Sequence, residues 1–303
     1  MNLVEELISV ANAFGADPEY SRAGGGNASV KVDGVLRIKP SGVPLATLTA
    51  ADLVGLRTDV LLDALHSDEL VEGDPVQAAA AKALVDAPGG RRPSVEILFH
   101  ALIPDALVLH THPLVANALT CNADAEALAA RLLGDDAVFV PYTDPGVPLA
   151  REVERVRDAY TARTGRPAPG ITLLGNHGII VSGNSAAELT ERAERLTGAI
   201  ASAIDATAAP VAEPLDRASL TALVNVVAPT LRGLLGTADR LAVVTSDASD
   251  LVRAVTTTPA GEAILTGGPL IPDQIVYAGS LPLVLAPTAG GDTAAEVVAA
   301  VEA

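Results

Sequence analysis

The chain has 303 residues, with 20 Lys and Arg against 37 Asp and Glu, a net charge of −17. An acidic surface of that size repels phosphate backbones and anionic lipid, which argues against nucleic acid and membrane surfaces as partners. Aromatic residues make up only 2% of the chain and Trp is absent, so bases or sugar rings find no stacking platform and a ligand must be held by polar groups or a metal.

The first helix is predicted over residues 2–14, where Leu3, Leu7, Ile8, Ala11 and Phe14 recur at helical spacing and Asn2 with Glu5 forms a capping box. Met1 to Glu6 carries acid where a signal peptide needs base, and no apolar run approaches the ~20 residues of a membrane span, so a soluble cytoplasmic protein is expected. The loop Arg22 to Ser29 holds Gly24, Gly25 and Gly26 and leads into a hairpin around Asp33-Gly34. Dinucleotide and P-loop sites need the glycines to open a helix, so neither is expected here. Asp74-Pro75 starts a helix running to about Val85, with Asp as cap and Pro in the first turn. A helix containing Glu96 and His100 then feeds the short apolar strand Ala106 to His110, and Leu114 to Leu119 is helical.

Further along, Ile171–Leu174 and Ile179–Ser182 flank the turn Gly175 to Gly178 as a second hairpin, and Ser185 caps a helix to about Ala206. Residues 207–214, rich in Ala and Pro, read as a linker. Beyond them a helix over 217–234, a strand over 240–245, a helix over 248–256 and a strand over 274–276 suggest a small C-terminal α/β unit. The expected domains are residues 1–210 and 215–303. Cys121 is the only cysteine, which excludes an intrachain disulfide and a thiolate zinc site; it is expected to be a small buried residue.

The chemistry is concentrated in His110-Thr-His112 and Asn176-His177-Gly178. Residues two apart on a strand share a side, so His110 and His112 can present two imidazoles to one ion while the hairpin turn supplies His177. Three neutral imidazoles and an open position describe a catalytic Zn²⁺ site. A lone His-x-His also fits local hydrogen bonding, and spacing alone does not prove convergence. Glu96, on the helix before the His pair, is of the type that removes or returns a proton beside a cation.

Five motifs, Gly25-Gly-Asn27-Ala-Ser29-Val, Lys39-Pro-Ser41-Gly42, Pro93-Ser94-Val95-Glu96, His110-Thr-His112-Pro113 and Asn176-His177-Gly178, occur in the order and spacing of the class II aldolase/adducin family, which residues 3–205 resemble. Within it, Arg92 to Glu96 and His110 to Pro113 are similar to the aldolase half of rhamnulose-phosphate aldolase/alcohol dehydrogenase fusions. The resemblance implies an α/β/α sandwich with a mixed central sheet, a homotetramer with zinc at the subunit boundary, and cleavage of a ketose 1-phosphate or another hydroxylated carbonyl compound. Relatives on the same scaffold epimerise, dehydrate or decarboxylate, and adducin heads serve only for interaction. By position, His110, His112 and His177 match the zinc ligands, Glu96 the acid/base, and Asn27, Ser41, Gly42 and Ser94 the phosphate-binding loops. Glycine-loop amides and short hydroxyls can form an anion nest without lysine.

There are departures. Val95 replaces a phosphate-loop serine and cannot donate a hydrogen bond, which puts a phosphorylated substrate in doubt. The proton-donor tyrosine of the sugar-phosphate aldolases has no secure match; Tyr142 is a candidate, with packing the alternative. Gln274 stands where that branch commonly has His, so a polar contact from the C-terminal region is altered or lost. No glycine-rich strand-to-helix turn follows residue 215, and no nicotinamide cofactor is expected.

Overall fold

The structure is a computed structural model describing residues 2–68, 72–204, 214–284 and 293–302. It divides into two compact units, one of residues 1–204 with 270–278, the other of residues 205–269 with 279–303.

In the first unit, α1 (Leu3–Ala16) begins at the expected capping box, Asn2 accepting from the Glu5 amide. The hairpin β1 (Asn27–Val32) and β2 (Val35–Ile38) turns at Asp33 and Gly34, both at positive φ as a two-residue hairpin loop requires. There follow β3 (Val54–Arg57), α2 (Thr58–His66), α3 (Pro75–Ala83), β4 (Leu84–Asp86), α4 (Ile97–Leu102), β5 (Leu107–Thr111), α5 (Leu114–Thr120), α6 (Ala125–Leu133), β6 (Val138–Val140), α7 (Val147–Thr164), β7 (Ile171–Leu174), β8 (Gly178–Gly183) and α8 (Ala186–Ala201). Eight strands form one mixed sheet in the order β4-β3-β2-β1-β5-β8-β7-β6, in which only β6 and β7 pair in parallel.

Strand alternation divides the core into two layers. Leu107 and Leu109 of β5 face one way, onto residues of α1, α5, α6 and α8 such as Leu7, Ala116, Ala129 and Leu196. Val108 faces the other, among residues of α2, α3, α4 and α7 such as Leu61, Ala79, Phe99 and Val153. The result is the α/β/α sandwich with a mixed central sheet that the resemblance implies.

Local corrections have physical reasons. The helix over 75–85 stops at Ala83, because Leu84 and Asp86 pair with Leu56 and Gly55 and close the sheet edge. Helix α8 ends at Ala201 rather than Ala206, and residues 207–213 of the expected linker lie outside the described residues. Glu96 is the residue flanking α4 rather than part of it.

The described part of the second unit holds α9 (Arg217–Leu235), α10 (Asp250–Thr257) and α11 (Pro259–Thr266). After α12 (Pro272–Ala278), which groups with the first unit, comes α13 (Thr293–Glu302). Helix α10 packs on α11, and α9 on α13. The expected strands at 240–245 and 274–276 are not formed: the former has no regular structure, apart from the bridge of Arg240 to Thr237, and the latter lies in α12. Short apolar runs do not distinguish strand from helix, and Pro272 followed by Asp273 is a helix start. The described second-unit elements are therefore helical, not α/β. Helix α9 also corrects the reading of apolar runs, since an 18-residue window of its 19 residues reaches a mean hydropathy of 1.4, long and apolar enough by length and composition to cross a membrane. It carries Pro229 in its interior and Arg232 in its last turn.

Candidate metal centre

The sheet brings the motifs together. Asn27 of β1 pairs with His110 of β5, and Ile180 of β8 pairs with His110 from the other side. The turn before β8 holds His177 and sits tightly against the end of β5: a β-carbon at Gly178 would lie 2.5 Å from the Thr111 carbonyl oxygen. Only glycine lets the two backbones approach so closely there.

His110, His112 and His177 are buried, and their ligand atoms all lie within 4.8 Å of one another. The His110 Nδ1–H donates to the Ile179 carbonyl at 2.8 Å, and the His112 Nδ1–H donates to Asp273 Oδ2 at 2.5 Å. Both Nε2 atoms therefore carry lone pairs, and they face each other across 3.0 Å. Two lone pairs so placed repel unless a proton or a metal cation lies between them. Glu96 joins the cluster, with Oε1 at 3.4 Å from His110 Nε2 and 3.3 Å from His177 Nε2. Imidazole nitrogens ~2.0–2.1 Å from a tetrahedral zinc are about 3.3 Å apart, so three imidazoles clustered in this way fit such an ion, with the Glu96 carboxylate beside it and not counted among the ligands.

The remaining predicted residues sort into two groups. Asn27 Nδ2 donates to Glu96 Oε2 and so holds the carboxylate, while the Glu96 backbone amide donates to Ser94 Oγ at 3.1 Å, so Ser94 fixes the main chain at Glu96. Ser41 and Gly42 lie in an exposed loop bridged to the 92–94 segment: the Ser41 amide donates to Arg92 O at 3.0 Å and its hydroxyl to Pro93 O at 3.2 Å. Val95 is 50% exposed beside that loop. Tyr142 is neither packed nor in the cluster; it is 61% exposed and its hydroxyl donates to Asp144.

Burial alone raises the Glu96 carboxyl, but the imidazoles of His110, His177 and His112 outweigh it and hold the group well below the usual carboxylate range. Burial pushes His110 down to about 3 against the pull of Glu96. His100 is also depressed by burial; its Nδ1 is 2.7 Å from Ser29 Oγ and its ring stacks on Phe99.

Two residues went unassigned in the sequence. Lys39 is 1% exposed, and its ammonium donates to Val43 O at 2.8 Å and to Gly24 O and Pro40 O at 3.3 Å, tying together the two glycine-bearing loops. Burial lowers it to about 8, while Glu96 and Asp273 pull it up. The Lys-Pro-Ser-Gly motif marked the position, but burial of its ammonium is not written in any local pattern. Asp273 lies one residue before Gln274 and reaches His112, so a polar contact from this region exists. Cys121 is half-buried rather than buried, its thiol donating to Leu270 O at 3.5 Å.

Among known proteins, the "Uncharacterized oxidoreductase YuxG" of Bacillus subtilis is 25% identical over 296 residues, 92% of this chain. The chain spans 42% of that relative's length, in keeping with a resemblance to the aldolase part of a larger fusion. The N-terminal class II aldolase domain of a conserved Thermoplasma acidophilum protein superposes with a TM-score of 0.59 at 27% identity, covering 67% of this chain and 94% of that one. Residues 5–204 match the family described as "Class II Aldolase and Adducin N-terminal domain". With its sheet, its histidine cluster and two thirds of its length matched, the chain belongs to the class II aldolase/adducin family.

Proposed function

We propose that the protein is a zinc-dependent lyase that cleaves a hydroxylated carbonyl compound by retro-aldol chemistry. The observation that carries this reading is the convergence of three imidazoles and the Glu96 carboxylate in one buried cluster, with the lone pairs of His110 and His112 directed at each other. His110, His112 and His177 hold the ion, which when bound supplies Lewis-acid charge to polarise a carbonyl. Glu96 is the acid/base. Its Oε2 is held by Asn27 and its amide by Ser94, which leaves Oε1 as the atom that takes up and returns the proton as the carbon–carbon bond opens.

Ser41, Gly42, Ser94 and Asn27 line the substrate side. Their donors are largely engaged within the protein, with the Ser41 hydroxyl on Pro93 O and the Asn27 amide on Glu96, and Val95 adds none. That favours an unphosphorylated hydroxy-carbonyl substrate over a ketose 1-phosphate. Residues 1–210, together with the 270–278 segment that groups with them, carry the catalysis, and the rest of residues 215–303 is accessory. The assembly is a cytoplasmic homotetramer.

Replacing Glu96 by Gln keeps the shape of the site and removes its base. We expect Glu96→Gln protein to retain one zinc per chain by elemental analysis while turnover falls on the order of 10²–10⁴-fold. Unchanged turnover would remove Glu96 from the mechanism. Zinc well below one per chain in the parent protein, with no gain on reconstitution, would favour a non-catalytic interaction module of the adducin type.

A further inference from the structure

Helix α12 lies outside the matched residues 5–204, yet it delivers a carboxylate into the histidine cluster. From its seat we infer that Asp273 is a positioning residue of the metal centre, fixing the tautomer and ring angle of His112, and that the glycine loop is shaped to receive it. This inference rests on the metal reading proposed above.

Three observations support it. First, Asp273 is 5% exposed and its Oδ2 accepts the His112 Nδ1–H, which commits Nε2 to the side facing His110. A carboxylate behind a ligating imidazole fixes its orientation and raises its basicity. Second, Gly25 has no room for a side chain: a β-carbon there would lie 1.5 Å from Asp273 Oδ1, and one at Gly24 would lie 2.5 Å from the Tyr277 hydroxyl. Gly24 and Gly25 are thus explained by the helix laid against them, while Gly26 lies against the His110 carbonyl. Third, the segment is anchored to the cluster itself. Buried Asn117 uses one amide hydrogen on the His177 carbonyl at 2.9 Å and the other on the Leu270 carbonyl at 2.8 Å, and Ile271 is buried beside it. One side chain therefore holds both the turn that carries His177 and the entry to the helix that carries Asp273.

A structural anchor alone does not account for the charge. Asp273 Oδ1 is buried with no hydrogen-bond partner among the described residues, and Lys39 is the buried ammonium that both the Asp273 and Glu96 carboxylates act on. Two buried carboxylates against one buried ammonium leave net negative charge, which a divalent cation on the far side of His112 would offset through the imidazole.

The test is zinc affinity measured by chelator competition on the full chain, with thermal melting of the zinc-free protein in parallel. Asp273→Ala should weaken zinc binding by about 10–100-fold. Asp273→Asn, which keeps the acceptor and loses the charge, should fall between that variant and the parent. Gly25→Ala, which displaces the carboxylate from the other side, should weaken zinc in the same direction. If the Ala variants do not fold, the Asn variant alone decides. Affinity within twofold of the parent in Asp273→Asn and in whichever Ala variant folds would overturn the positioning role, as would a lowered zinc-free melting temperature with unchanged zinc affinity. His112→Ala separates the two readings. If the parent binds zinc and His112→Ala does not, the metal reading stands whatever Asp273 does; if the parent binds none, both fall.

Discussion

His110 is sealed from solvent at the meeting point of the cluster, and its folded-state imidazole resists protonation down to about 3. An unfolded imidazole takes its proton near 6.5. Between those values the unfolded chain binds the extra proton, so the stability of zinc-free protein is fully present above about 6.5 and is lost as the pH falls toward 3. The slope from this group is at most ~1.4 kcal/mol per pH unit. Urea midpoints of chelator-treated protein at stepped pH should decline below about 6.5, and midpoints flat from 7.5 to 4.5 would contradict the burial argument. At this scale the sequence was informative where chemistry is local. His110-Thr-His112 and Asn176-His177-Gly178 carry their ligand types at fixed short spacing, and Glu96 stands in a motif. Asp273 is 161 residues from His112 in the chain and meets it only through the fold, so no spacing rule points to it. Asn27 and Ser94 stand in motifs too; the Ser94 contact with the Glu96 amide is local, whereas Asn27 meets the Glu96 carboxylate only through the fold.

Among the elements, the histidines converge because the β7–β8 turn is pressed against the end of β5. Gly178 is the point of closest approach, and a methyl group there would meet a backbone oxygen that cannot rotate away. Gly178→Ala should cost about 1–3 kcal/mol of stability and displace His177, seen as a lower urea midpoint together with weakened zinc binding. A variant as stable and as tight as the parent would show that the turn has slack. At the same scale, elements set by distant pairing depart from their local sequence pattern. Capping boxes and two-residue hairpin turns are encoded locally, and α1 and the β1–β2 hairpin follow them. Edge strand β4 depends on pairing with distant β3, and α12 on docking against the Gly24–Gly26 loop, so helix continuation and strand were read there instead. The expected C-terminal α/β unit rests on two such short apolar runs, which do not distinguish strand from helix.

For the molecule as a whole, the net charge of −17 and the scarcity of aromatics leave a ligand little to bind except polar groups and an ion. The buried cluster answers that need with imidazoles, carboxylates and one buried ammonium, and a zinc ion would bring positive charge into an otherwise acidic chain. An acidic field opposes approach of strongly anionic substrates, which agrees with the engaged donors of the serine and glycine loops. The reaction itself is read most directly from its products. Purified protein, stripped with a chelator and then restored with zinc, should be offered ketose 1-phosphates and unphosphorylated hydroxy-carbonyl compounds, with the aldehyde trapped and all products weighed by mass spectrometry. Retro-aldol cleavage gives two carbon fragments whose masses sum to that of the substrate, formed with zinc and absent without it; a product of unchanged mass, or one lighter by water or carbon dioxide alone, would contradict a lyase of this type.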